Sequence, residues 1–321
     1  MHALLLAASF LGSVGSPGAD GDWFASLYTG EGVELRTDDK VFALYAVLNS
    51  VGYDVGPVTR KEPAPKVLMH PVRQSVRARV LGGDGETRKA ADAFFDAHPL
   101  SARAYLAHVL GPKGKDSGDL KGFESLVSRA EGSWKMNELL ATHQGEYRRA
   151  LKAYLPVLDG PLGKLRKLLR VPETVDVTVV ANLLEAHDAV SAVRLDDSLF
   201  VVVGPSDKPN METLLREVAR AVIEPSILKK AAQWSGAAVV YKDALAAGTP
   251  EKSPTDYAVG LVAEAASLRA LEASDAAFDA ASSRGYFAVK EITKLFDEGK
   301  SADALAGEAW ARVEARRPGH K

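Results

Sequence analysis

Apolar residues recur at three- and four-residue intervals along most of this chain, and the texture changes once, after Pro172. In "DKVFALYAVLNSVGYD", Val41, Leu44, Val47 and Leu48 follow helical spacing, Asp38 or Asp39 stands where a cap belongs, and Gly52 ends the run. A short strand, "GVELRT" (32–37), precedes it, and the three prolines of "VGPVTRKEPAP" make a loop after it. Helical patterns continue in "KVLMHPVRQSVRARVLG", interrupted at Pro71, in "ETRKAADAFFDAHP" and in "SARAYLAHVLG". A long one runs from Lys121 to Leu158, carried by Leu139, Leu140, Tyr147, Leu151 and Tyr154. No period is regular enough for a solenoid.

Beyond Pro172, "VDVTVVANLLEA" and "AVRLDDSLFVVVGPS" are rich in Val and other strand formers. They read as two adjacent antiparallel strands linked by "EAHDAVSA", with Asp196 and Asp197 at a hairpin or strand end. Pro209 and Asn210 lead into a helix from Met211 to Trp234, and further helices follow over 236–247, 254–282, 284–298 and 301–316. The pattern predicts an α+β, predominantly helical fold with a small antiparallel sheet packed against the 211–234 helix. It is organised as one domain over 20–321. A helical part (32–158) and a core part (174–316) meet at a stretch near 158–174 that is at most a hinge.

The 321 residues, 46% of them hydrophobic, suffice for a large core. A net charge of −2 and a pI near 6.4 supply no overall field for nucleic acid or an anionic membrane. The absence of cysteine removes disulfides, thiolate metal sites and cysteine nucleophiles. At the N-terminus, the apolar run Ala3–Val14 and the small residues to Ala19 have the layout of a secretory signal peptide over 1–19, with only His2 at its front end. No other segment reaches the roughly 18 apolar residues of a membrane span.

The stretch that bears most on function is "LLREVARAVIEP", residues 214–225. An HExxH helix holds zinc through two histidines four residues apart on one face, with the intervening glutamate taking a proton from the metal-bound water. Here the spacing is present as Arg216, Glu217 and Arg220. Arginine stays protonated and has no lone pair for a metal, so zinc held by the usual ligands is ruled out at these positions. Glu212, Arg216, Arg220 and Glu224 also stand four apart, which describes a solvated stripe on an ordinary amphipathic helix, with Leu214, Leu215, Val218, Ala219, Ala221 and Val222 inward.

The order of features resembles exported bacterial proteins of the zincin metallopeptidase type. An apolar run like "FALYAVLNSVGY" precedes a helical region, and a strand ending like "LFVVVGP" leads to an HExxH helix closing with a pair like Glu224-Pro225. A later glutamate-bearing helix follows, then a segment like "RGYFAVKEITKLF" (284–296). The similarity spans residues 32 to 300. It implies a zincin-like core in which Arg216 and Arg220 occupy the two histidine positions and Glu217 the general-base position. The third ligand's place falls on Glu264 or, in an equally good register, on Gly260. A salt-bridged cluster of Arg216, Arg220, Glu217 and Glu264 then stands where a metal would sit, and no metal or other cofactor is expected.

Other constellations are weaker. "HVLGPKGKDSG" (108–118) lacks the spacing of a phosphate loop, "GGDGE" (82–86) that of a calcium loop, and no G-x-S-x-G surrounds a serine. "LEAHDA" gathers Glu185, His187 and Asp188, a secondary candidate for acid–base or metal chemistry or a solvated turn. The basic "GKLRKLLR" (163–170) lacks an aromatic platform for nucleic acid. The sequence thus predicts a non-catalytic, metallopeptidase-like protein, exported to the periplasm or outside the cell or else cytoplasmic, that binds an unidentified protein or peptide partner, binds no nucleic acid and spans no membrane. Its rivals are an active hydrolase using Glu217 as base with help from His187, and an unrelated helical interaction protein. The burial of Arg216 and Arg220 separates the first reading from the last.

Overall fold

The computed structural model describes residues 26–52, 70–111, 120–230 and 237–300, together with single positions between 304 and 313. The signal expected over 1–19 and the proline-rich loop at 55–65 lie outside the described residues. So does Trp234, the end expected for the 211–234 helix.

Among the described residues, five strands form one sheet. The short β1 (Leu27–Tyr28) runs antiparallel to β2 (Glu34–Arg36), and β2 runs parallel to β3 (Asp176–Ala181). Next comes β5 (Ser198–Val203), parallel to β3, and then β4 (Val190–Leu195), antiparallel to β5 at the edge. The sheet is therefore mixed, not antiparallel. The second Val-rich stretch is a hairpin turned at Asp196 and Asp197, with Asp196 at φ 49°. Its near arm, joined to β3 by "EAHDAVSA", passes beyond β5 instead of pairing with β3. The cause is burial: Val177 to Ala181 are all buried, so β3 has apolar neighbours on both faces, the usual surroundings of a parallel strand.

Among the helices, α1 (Asp39–Ser50) begins where expected, with Asp38 accepting from the amides of Lys40 and Val41. Val41 to Asn49 are buried without interruption, so α1 has no solvent face and serves as an axle for the N-terminal helices. Around it stand α2 (Pro71–Leu81), α3 (Gly85–Ala97), α4 (Ala102–Leu110), α5 (Phe123–Trp134) and α6 (Met136–Thr142). Next, α7 (Gln144–Leu158) touches β1, β2 and β3, and the basic stretch forms α8 (Pro161–Leu168). The pattern expected from Lys121 to Leu158 is thus three helices. It breaks at Lys135, whose φ is 52°, and again at His143.

The C-terminal helices are α9 (Met211–Lys229), α10 (Ala237–Ala246), α11 (Pro254–Ala270), α12 (Asp275–Ser283) and α13 (Val289–Asp297). Asn210 caps α9 through Thr213 N, and Ser253 caps α11 through Asp256 N, with Pro254 in its first turn. The helix expected over 254–282 is interrupted at Glu272, which takes φ 52°. α11 is buried from Tyr257 to Leu268, and its most extensive packing is against α9. α9 in turn packs on the edge strand β4. No described helix is long and apolar enough to cross a membrane.

Candidate functional site

The α9–α11 seam collects the charged residues that the sequence singled out. The helices run in opposite directions: Ser267 Oγ donates to the Glu212 carbonyl, Glu264 faces Arg216, and Gly260 lies beside the carboxylate that grips Arg220. Both registers considered for the third ligand position are therefore in the seam, Glu264 opposite Arg216 and Gly260 near Arg220.

Arg220 is the inner of the two arginines, with a side chain 12% exposed. Its Nη1 and Nη2 each donate to Glu251 Oε2 at 3.0 Å, and Nη2 also meets Asp256 Oδ1. Tyr286 donates its hydroxyl to the other oxygen, Glu251 Oε1, at 2.9 Å. A Cβ on Gly260 would stand 2.1 Å from that Oε1, so the glycine makes room for the carboxylate. Burial opposes the charge on Arg220, but Glu251, Asp256 and Glu217 outweigh it and raise its pKa. Glu251 is also raised, by burial first and by Asp256, against the pull of Arg220 and Tyr286.

Arg216 is bound more loosely. Its side chain is 25% exposed, Nε lies 3.6 Å from Glu217 Oε1, and Nη1 lies 3.8 Å from Glu264 Oε2. Those are ion-pair separations, beyond good hydrogen-bond geometry. Glu264 is 0% exposed. Its Oε1 accepts from Arg284 Nη2 at 2.5 Å, whereas Oε2 is buried with no hydrogen-bond partner. Burial raises the Glu264 pKa, Glu212 adds to the rise, and Arg216 and Arg284 oppose it. Arg284 also reaches Glu212 at 3.3 Å. Gly285, at φ 100°, turns the chain between Arg284 and Tyr286 close against the Ala244 backbone.

The alternative of an ordinary solvated stripe on α9, paired along its own helix, holds only in part: its residues stay partly exposed but pair with other elements. Glu212 pairs with Arg284, Arg216 with Glu264 and its neighbour Glu217, Arg220 with Glu251 and Asp256, and Glu224 with Arg103 at 2.8 Å. Helical i,i+4 geometry is the same whether a face is wet or covered; here α11 and its flanking turns cover Arg220, while Glu212 and Glu224 at the ends of the stripe stay partly exposed. Arg103 does more than pair with Glu224: its Nε donates to the Ala192 carbonyl on β4 at 3.0 Å. The helix is thereby pinned to the sheet edge.

Counted together, Glu212, Glu217, Glu251, Asp256 and Glu264 face Arg216, Arg220 and Arg284, five acids against three bases. Guanidinium groups donate no electron pair, and no group of three or more His, Asp and Glu among the described residues is arranged to hold a metal ion.

The secondary candidates diverge. Glu185 is buried; its Oε1 accepts from Ala186 N at 3.0 Å, and burial raises its pKa against the Tyr45 hydroxyl and Arg73. Asp188, at φ 58°, is exposed and accepts from Ser206 Oγ at 2.5 Å, while His187 is half-buried between them. The basic stretch is occupied structurally: Lys164 pairs with Glu272 at 2.8 Å, and Arg166 donates to the Val175 carbonyl. Sequence reasoning missed Glu251, Asp256, Arg284 and Tyr286. The usable signal was the pair of carboxylates flanking "KSPT" across the start of a helix that holds Gly260 and a single internal glutamate. No family model, no curated protein and no solved structure matches this chain.

Proposed function

We propose that this chain is an exported, non-catalytic relative of the zincin metallopeptidases that acts by binding a protein or peptide. The observation carrying the reading is that Arg216 and Arg220, four residues apart on α9, both turn inward to the carboxylates contributed by α11 and its flanking turns. A helical face that had only ever met water has no reason to present its cations to buried glutamates. A face that once held a dication beside acidic ligands does, because cations there offset charges that are costly to bury alone. Further support comes from Glu264, a fully buried carboxylate on the second helix, opposite the first arginine. The mixed sheet with α9 laid along its edge strand also accords with the order of features noted in the sequence. With arginines at the two histidine positions, attack by a metal-polarised water, the zincin route, is closed to Glu217.

The test is the metal content of untagged protein expressed in zinc-supplemented medium, read beside cleavage of an unstructured peptide mixture. Neither bound zinc nor cleavage is expected. About one zinc per chain overturns the reading and moves attention to His187 and its neighbouring carboxylates.

A further inference from the structure

α2 starts in an unusual way. His70 is its N-cap, and the ring Nδ1 accepts from Val72 N at 3.2 Å. Only an unprotonated Nδ1 can accept, so the cap exists in the neutral imidazole alone. The first turn of α2 holds no acidic residue, and an imidazolium there would face the positive end of the helix. An Asp or Asn cap, as at Asp38 and Asn210, has no such dependence near neutral pH.

The charged and titratable groups facing His70 act mostly in the same direction. His187 from the β3–β4 connection, His143 from the α6–α7 joint and Arg149 of α7 disfavour a proton on it, whereas Glu146 of α7 favours one. With burial as the largest cause, the His70 pKa lies below its ordinary value. His143 is itself placed by its Nε2 contact with Ser75 Oγ of α2, 3.2 Å away. The three imidazoles of His70, His143 and His187 thus come from three separate parts of the chain.

A chain of buried polar contacts ties the first turn of α2 to that connection. Arg73 Nη2 donates to Asn49 Oδ1 at 3.4 Å, and Asn49 Nδ2 donates to the Leu184 carbonyl at 2.9 Å. Leu184 lies three residues before His187.

We propose that His70 is a protonation-sensitive clasp, closed at neutral pH, whose opening in mild acid loosens the first turn of α2 and the 182–189 connection together. The sign follows from the depressed value. Neutral His70 is favoured by the fold, so its contribution is present above about pH 6.5, the ordinary histidine range, and is lost as pH falls through the folded pKa.

The experiment is backbone amide exchange of the full chain, expressed as protection factors and followed from about pH 7 to about pH 5, with the histidine rings titrated by NMR. For His70, a midpoint below the ordinary value is expected. In the same window, protection at 72–76 and 183–189 should fall together as His70 takes up its proton. H70N keeps a cap that does not titrate, so its α2 protection should stay level. H187Q removes one repelling charge and should move the midpoint of loosening to higher pH. A His70 midpoint at or above the ordinary value, or an acid loss undiminished in H70N, overturns the clasp. An H187Q midpoint equal to that of the parent overturns its link to the 182–189 connection.

Discussion

Gly260 and Glu251 share one volume: the carboxylate that grips Arg220 lies where the glycine's side chain would otherwise begin. In most helix interiors, glycine to alanine stabilises by up to about 1 kcal/mol. G260A should do the opposite, costing about 1–3 kcal/mol in chemical denaturation, because Glu251 must leave Arg220 and Tyr286. A double variant with E251A should recover part of that loss. A stabilised G260A single variant would contradict the packing described.

The two arginines should differ in weight. R220A leaves Glu251 and Asp256 facing each other in a covered site and should cost about 3–5 kcal/mol. R216A removes a looser pair of contacts and should cost about 1 kcal/mol or less. Equal losses in urea titrations of the two variants would refute the distinction.

If α9 descends from a metal-binding helix, its frame should still accept one. R216H/R220H places two imidazoles on the face that meets Glu264 and should take up about one zinc per chain, with neither single variant doing so. Melting temperature measured with zinc and with a chelator reads the same event, since binding stabilises the fold. An unrelated surface helix predicts that the double variant gains nothing but instability.

Glu264 and Glu251 make a pH prediction opposite in sign to that of His70. Their pKa values are raised in the fold, so their contribution is fully present below the unfolded carboxyl value and declines as pH rises through the folded values. E264Q cannot titrate there. Its unfolding free energy, compared with the parent from about pH 4 to about pH 7, should show a shallower decline. Parallel curves would mean that Glu264 does not titrate differently in the fold.

What was legible in the sequence was local. Asp38, Asn210 and the Asp196-Asp197 turn mark their elements because caps and turns depend on a few adjacent residues. Arg216 and Arg220 could be assigned to one face for the same reason, and Glu264 and Gly260 were both found in the seam. The pairing of β3 with β5 was not legible, since both strands are apolar on both faces and their neighbours arrive from distant parts of the chain. Nor were the partners of the arginines: Glu251 and Arg284 follow α9 by more than twenty residues, and only the packing of α11 brings them to it. The solvated-stripe alternative could not be decided for the same reason, because spacing along a helix does not say what lies across from it.

Arg103 has a consequence for how this protein meets its own copies. An outer sheet strand is an invitation to further strands, and β4 is such a strand. With the Ala192 carbonyl already taken by Arg103 and the guanidinium itself anchored by Glu224, an arriving chain finds that rung of the ladder filled and a charged group in its path. The side chain that fastens α9 to the sheet thus also resists fibril-like growth from it.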